Sequence, residues 1–211
     1  MKYNKAEEGV RERLLVAGIK ELENHGLNDF SLRRVASLCN VSCAAPYMHF
    51  KNKEDLLSAL MDYTNSSWHL LRDQVLEIYK DAGIGKKLVE LSVAYLSFLQ
   101  ATPSYMTVMT MRSDENKMIE GLRSQLSHPI LELVDEYLGD DPRLDGLKRK
   151  MVYSVRSYIY GTVCMIRNKE VDKKEETIEM FRSILNRVMI NAEKAAERIK
   201  SGNEDTDEIY L

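Results

Sequence analysis

The chain has 211 residues, with 30 Lys and Arg against 33 Asp and Glu and a hydrophobic share of 44%. That is ample for one large or two small packed domains, and a net charge of −3 excludes a general nucleic-acid coater. No apolar run approaches the roughly 18 residues of a membrane span. The opening MKYNKAEEGVRER lacks the apolar core of a signal peptide, so a cytoplasmic location is expected. Three cysteines (Cys39, Cys43, Cys164) are odd in number and lack metal spacing. They read as reduced thiols, with no metal site. Charge is unevenly placed: residues 1–53 hold nine basic and six acidic residues, and the remainder carries a net −6. A local basic excess is what specific phosphate contact needs.

Lys5 to His25 reads as the first helix. Val10, Leu14, Ala17 and Leu22 make its inner stripe, with Leu15 and Ile19 alongside. Gly18 costs about 1 kcal/mol in mid-helix, which close approach of a neighbouring helix would explain. Gly26 is the stop. Phe30 can pack as a hydrophobic staple before Ser31, a helix N-cap. Leu32, Val35, Ala36 and Cys39 then fall at helical spacing, with Arg33 and Arg34 off that face. Asn40 can take the left-handed conformation that ends a helix, Val41 turns inward, and Ser42 can cap a second helix. Two helices joined this closely have the helix-turn-helix layout. The second carries Cys43, Ala44, Ala45, Tyr47, Met48 and His49 on or near its outer face. At roughly two turns it is too short to stand alone, so its role is contact. Pro46, four residues past the Ser42 cap, removes the first helical bond and disfavours helical geometry at Ala45.

The stretch from about Glu8 to about Trp68 resembles the DNA-binding domain of the TetR family of bacterial transcriptional regulators. The resemblance rests on LLVAGIKELENHGLNDFSLRRVA, then NVS, then APYMHFKNKEDLL, with Tyr47, Phe50, Lys53 and Glu54 at the family's spacing. It implies an all-α fold: a three-helix N-terminal helix-turn-helix domain (5–52), then a C-terminal helical ligand-binding and dimerisation domain (53–200), about nine helices in all. It also implies DNA contacts from Ser31, Arg33, Arg34, Ser42, Cys43, Ala44, Ala45, Tyr47, His49 and Lys53, with Tyr47 and Lys53 on phosphates. Cys43, Ala44 and Ala45 depart from the Lys, Gly or Thr common in the family. Methyl groups there can still touch thymine methyls.

Lys53 to about Lys80 contains no Gly or Pro and reads as one long helix, which the resemblance makes a lever between the two domains. Asp81 to Gly85 is a break. A helix from Lys86 to Thr102 follows, then Pro103 and a methionine-rich stretch from Ser104 to Met111. Asp114 to about Leu138 is helical, with Pro129 kinking or splitting it, and Gly139 to Pro142 is a turn. Two long helices, from about Pro142 to Asn168 and about Lys173 to Lys200, precede an acidic tail (201–211) expected to be disordered.

The last two helices carry apolar residues suited to a dimer seam: Met151, Val155, Ile159, Ile178, Phe181, Leu185 and Val188. A two-fold dimer would match a palindromic operator. Trp68, Tyr95, Phe98, Met106, Met109, Tyr158 and Met165 could line the pocket where this family binds inducers, with a largely apolar ligand. No phosphate-binding glycine loop, HExxH or GxSxG motif occurs, so neither an enzyme nor a cofactor is expected. The implied function is a sequence-specific regulator, a repressor released by an inducer. The competing reading is an all-helical interaction module whose helix-turn-helix no longer reads sequence.

Overall fold

The computed structural model describes residues 5–102, 117–171 and 174–202. Among them every regular element is helical. The helices are α1 (Lys5–His25), α2 (Leu32–Leu38), α3 (Ala45–His49), α4 (Lys53–Ile78), α5 (Ile84–Ala101), α6 (Lys117–Leu138), α7 (Asp145–Arg167) and α8 (Lys174–Lys200). A 3-10 turn, Pro142–Leu144, leads into α7. The methionine-rich stretch with Met106 and Met109, and the tail beyond Gly202, lie outside the described residues. Among the described residues, no helix is long and apolar enough to cross a membrane.

The chain divides into two units, and the first takes in α4 as far as Trp68 and α6 as far as Arg123. The reason is packing. Leu56, Leu57, Leu60 and Met61 of α4 share a buried core with Leu14, Leu15 and Leu22 of α1, Val35 of α2, and the loop residues Phe30, Cys39 and Phe50. Gly18 stands at the α1–α4 contact, where a Cβ would meet both Leu60 methyls at 3.0 Å. That close approach explains a glycine in mid-helix.

In the second unit α7 and α8 pack on each other and on α5. The residues expected from the sequence at a dimer seam lie on these packed faces. Met151, Val155, Ile159, Phe181, Leu185 and Val188 are all at most 2% exposed within a single chain, and Ile178 is half-buried. An amphipathic stripe records that a partner exists but not which one, and here α5 is the partner. Gly85 is helical and not part of a break, and the Tyr137 ring stands 3.0 Å from where a Cβ there would be, which favours glycine at that position. The Tyr137 hydroxyl donates to the Met189 carbonyl at 3.3 Å, and burial, with Glu193 beside it, pushes that phenol well above its ordinary pKa. Helix α6 passes through Pro129 without being split.

Among the described residues of this unit one carboxylate is buried. Glu90, 6% exposed, accepts from Lys86 at 2.7 Å and from Arg182 of α8 at 2.9 and 3.1 Å. Burial alone would raise its pKa, but the hydrogen bonds from Arg182 and Lys86 outweigh that and hold it below the ordinary value.

Candidate nucleic-acid interface

The reading edge is built on three local devices. The first closes α1 onto α2. Ser31 has extended backbone and its hydroxyl accepts the Arg34 N–H at 3.4 Å, an N-cap. The Ser31 N–H in turn donates to the buried Glu21 carboxylate at 3.1 Å, which also takes the Arg34 guanidinium at 2.6–2.7 Å. Glu21 is 1% exposed and was not legible as a site residue: it occupies an ordinary polar position in a helical pattern. The Arg34 guanidinium also reaches the Asp29 carbonyl, and its hydrogen bond to Glu21 holds its pKa above the usual value. Arg34, though exposed, is therefore a brace, while Arg33, a little over half a turn from Val35, is exposed without that tie to Glu21.

The second device ends α2. Asn40 has φ +54°, its N–H donates to the Ser37 carbonyl at 3.1 Å, and the Val41 N–H reaches back to Ala36 at 3.1 Å. That 6→1 and 5→2 pairing is the Schellman closure, as the asparagine suggested. The third is the start of α4. The Asn52 side chain accepts the Asp55 N–H at 2.8 Å, and Asp55 accepts the Lys51 N–H at 2.8 Å. This caps α4 immediately after α3.

Between these fixed points α3 is shorter than the sequence suggested, and it starts later. The Ala45 N–H bonds to the Ser42 main-chain carbonyl at 2.9 Å as a turn, and the N-cap is Ala44, with no side-chain cap. The helix shifts its start because Pro46 then falls in the first turn, where no N–H partner is required. The proline thus begins the helix and does not damage it. Pro46 itself is buried, and Phe50 plugs inward at 3% exposed beneath the Arg11 guanidinium, 5.4 Å from the ring centre.

The outer edge is then formed by Ser42, Cys43 and Ala44, all exposed, with Ala45 and His49 half-buried. Tyr47 is 57% exposed and Met48 83%. Met48 belongs with the edge, although side-chain chemistry alone gave no reason to place it in a site. The half-buried Lys53 ammonium donates to the Leu27 carbonyl at 2.9 Å and lies 5.8 Å over the Phe30 ring, so part of its hydrogen-bonding capacity is internal. Cys39 is buried with its thiol donating to the Arg13 carbonyl at 3.2 Å, and burial raises its pKa. Cys43 is exposed.

The pocket residues expected from the sequence are placed unevenly. Trp68 is buried on the first unit's part of α4, Tyr95 and Phe98 are buried on α5, and Tyr158 is half-buried on α7. Met165 is 43% exposed near the end of α7. Gln100, on α5, was not expected: its side-chain nitrogen and oxygen are both buried and have no hydrogen-bond partner among the described residues.

The family described as bacterial regulatory proteins, tetR family, matches residues 14–60, from the middle of α1 through the first two turns of α4. No curated protein matches the chain. Several solved structures share its fold. The fatty acid degradation regulator FadR from Bacillus halodurans is 16% identical with a TM-score of 0.67, covering 88% of this chain and 97% of its own. FadR from Bacillus subtilis, in complex with stearoyl-CoA, is 17% identical with a TM-score of 0.64, covering 84% and 97%. A TetR variant from Acinetobacter baumannii AYE, in complex with minocycline, is 16% identical with a TM-score of 0.55, covering 92% and 99%. At these identities the likeness is one of fold.

Proposed function

We propose, for this member of the TetR family of bacterial regulatory proteins, a cytoplasmic repressor that acts as a homodimer on a palindromic DNA operator and releases it on binding a small molecule. The observation that carries the reading is the α3 edge. A helix of 5 residues is held by Glu21 and the Ser31 cap on one side and the Asn52–Asp55 cap on the other, and presents Tyr47 and Met48 to solvent. Nothing about such a short segment would stabilise it alone, so the brace serves what it presents. In this reading Tyr47, Arg33 and Lys53 contact phosphates, and Ser42, Cys43, Ala44, Ala45, Met48 and His49 face base edges. The methyl-bearing side chains suit thymine. Ser31 and Arg34 position the edge.

Fluorescence anisotropy against DNA from upstream of the protein's own gene, with excess competitor, tests this. Tight competitor-resistant binding is the expected result; binding that competitor removes at every candidate operator would sink it. Two variants sharpen the assignment. Tyr47→Ala should weaken binding roughly tenfold or more at every salt concentration with the salt slope unchanged, because a neutral phenol releases no counterion. Arg33→Ala should instead flatten the log–log salt slope by about 0.9.

Two copies would place their recognition helices about 34 Å apart. The apolar side chains left exposed by the chain's own packing, Met165 on α7 and Met180 and Ile190 on α8, support a contact there. Met180→Glu should yield monomers by sedimentation velocity and lose operator binding; a variant that stays dimeric removes Met180 from the interface. For the inducer, the buried amide of Gln100, without a hydrogen-bond partner among the described residues, beside the buried α5 residues supports an apolar molecule with one polar group. The stearoyl-CoA and minocycline held by the two neighbours of like fold support ligand response in general terms. Release follows if the ligand favours a pose with a different spread of recognition helices.

A further inference from the structure

We propose that a groove between α6 and α7, on the outside of the second unit, binds a planar aromatic carboxylate. The groove has a volume of about 630 Å³, well within the range of small-molecule sites. Its wall is a stripe of α7 in which Arg149, Tyr153, Arg156 and Tyr160 recur at steps of four, three and four residues, so cation and phenol alternate along one helix face. This face is distinct from the buried one that carries Met151, Val155 and Ile159. Fold stability explains the buried stripe and does not explain the open one.

Tyr153 is 75% exposed, leaving a phenol ring largely uncovered. The Arg156 guanidinium carbon lies 6.0 Å from the Tyr160 ring centre, a cation–π pairing that holds the planar fork beside an aromatic face. Leu131 of α6 and Val152 of α7 supply an apolar floor. Two carboxylates also reach the groove. Asp135 is paired with Lys148 at 3.2 Å, so those charges offset each other. Asp145, at the first turn of α7, leaves two guanidiniums against one carboxylate.

A lining of this kind selects its ligand twice. Phenol faces take a flat aromatic body by offset stacking. The guanidinium fork takes a carboxylate in two parallel hydrogen bonds, where a lysine would offer a point charge. The site stands apart from the α5 residues assigned to the inducer and does not depend on the operator reading.

The test uses the full chain without DNA, with 2-naphthoate as probe in isothermal titration calorimetry. Saturable binding at one site per chain is expected, with 2-naphthamide about tenfold weaker or more, because it lacks the charge. Arg149→Ala combined with Arg156→Ala should weaken naphthoate by about tenfold to a hundredfold with the helical circular dichroism unchanged. Tyr153→Ala, a truncation of an exposed side chain, should weaken naphthoate and naphthamide alike. No saturable binding, equal affinity for acid and amide, or naphthoate binding that survives loss of both arginines would each overturn the proposal.

Discussion

Leu60→Ala should remove about 2–5 kcal/mol from the stability of the first unit and abolish operator binding with it. Leu60 is 1% exposed and lies in the core that α4 shares with α1 and α2. Its methyls fill the space above Gly18, 3.0 Å from where a Cβ would stand. Truncation leaves a cavity that the backbone closes only in part. The same geometry fixes how Gly18 behaves. In the wild-type chain Gly18→Ala gains about 1 kcal/mol of helix propensity but pushes on Leu60. In the Leu60→Ala background the obstruction is gone and the propensity gain should appear. A double-mutant cycle in urea checks this, with fluorescence of Trp68, the chain's single tryptophan, reporting the first unit. A favourable coupling on the order of 1 kcal/mol is expected; strictly additive effects would mean that Gly18 is not there to admit Leu60.

Arg182→Met should destabilise the second unit by about 3 kcal/mol at neutral pH. The change strands Glu90, which is 6% exposed, with Lys86 as its remaining cationic partner among the described residues. The pH dependence has a definite sign. Glu90 is held below its ordinary pKa in the folded chain, so its contribution is fully present above the unfolded value of about 4.3 and is lost as pH falls through the lower folded value. The gap between wild type and variant should therefore be full at pH 7 and narrow below about pH 4. Adding Glu90→Gln to Arg182→Met should recover part of the loss, because a neutral amide is less costly to bury than an unpaired charge. A gap that stays constant from neutral to acidic pH would show that the pair contributes only through packing. Asp141, whose carboxyl is drawn down to about 2 by hydrogen bonds from Arg143, titrates at the surface below this window.

What was legible in the sequence is local. Gly26, Ser31, Asn40 and the glycine–proline break before α7 mark helix ends through backbone preferences that act within a few residues. The bounds of α1 and the helix-turn-helix layout followed from them, and the motif around Tyr47, Phe50, Lys53 and Glu54 carried the resemblance to the tetR family over residues 14–60. Where a local preference met a longer-range contact, the contact decided. Pro46 moved the start of α3 to Ala45, since the turn at Ser42 could absorb the shift. Gly85 lies within α5, with Tyr137 standing close to where a side chain there would go. The partner of each apolar stripe was not legible at all. Met151, Val155 and Phe181 have a periodicity that suits α5 as well as a second copy of the chain, and three-dimensional packing gave them to α5. The same holds for charge. Glu21 and Glu90 look like solvated helix positions in sequence, and only the approach of Arg34 and Arg182 from distant segments makes them buried anchors. Hydrophobic period and capping are one-dimensional signals, so the sequence determined the helices and the edge they present. Which faces close on one another, and which stay open for DNA, ligand or partner, depends on contacts across the chain, and the tertiary structure decided it.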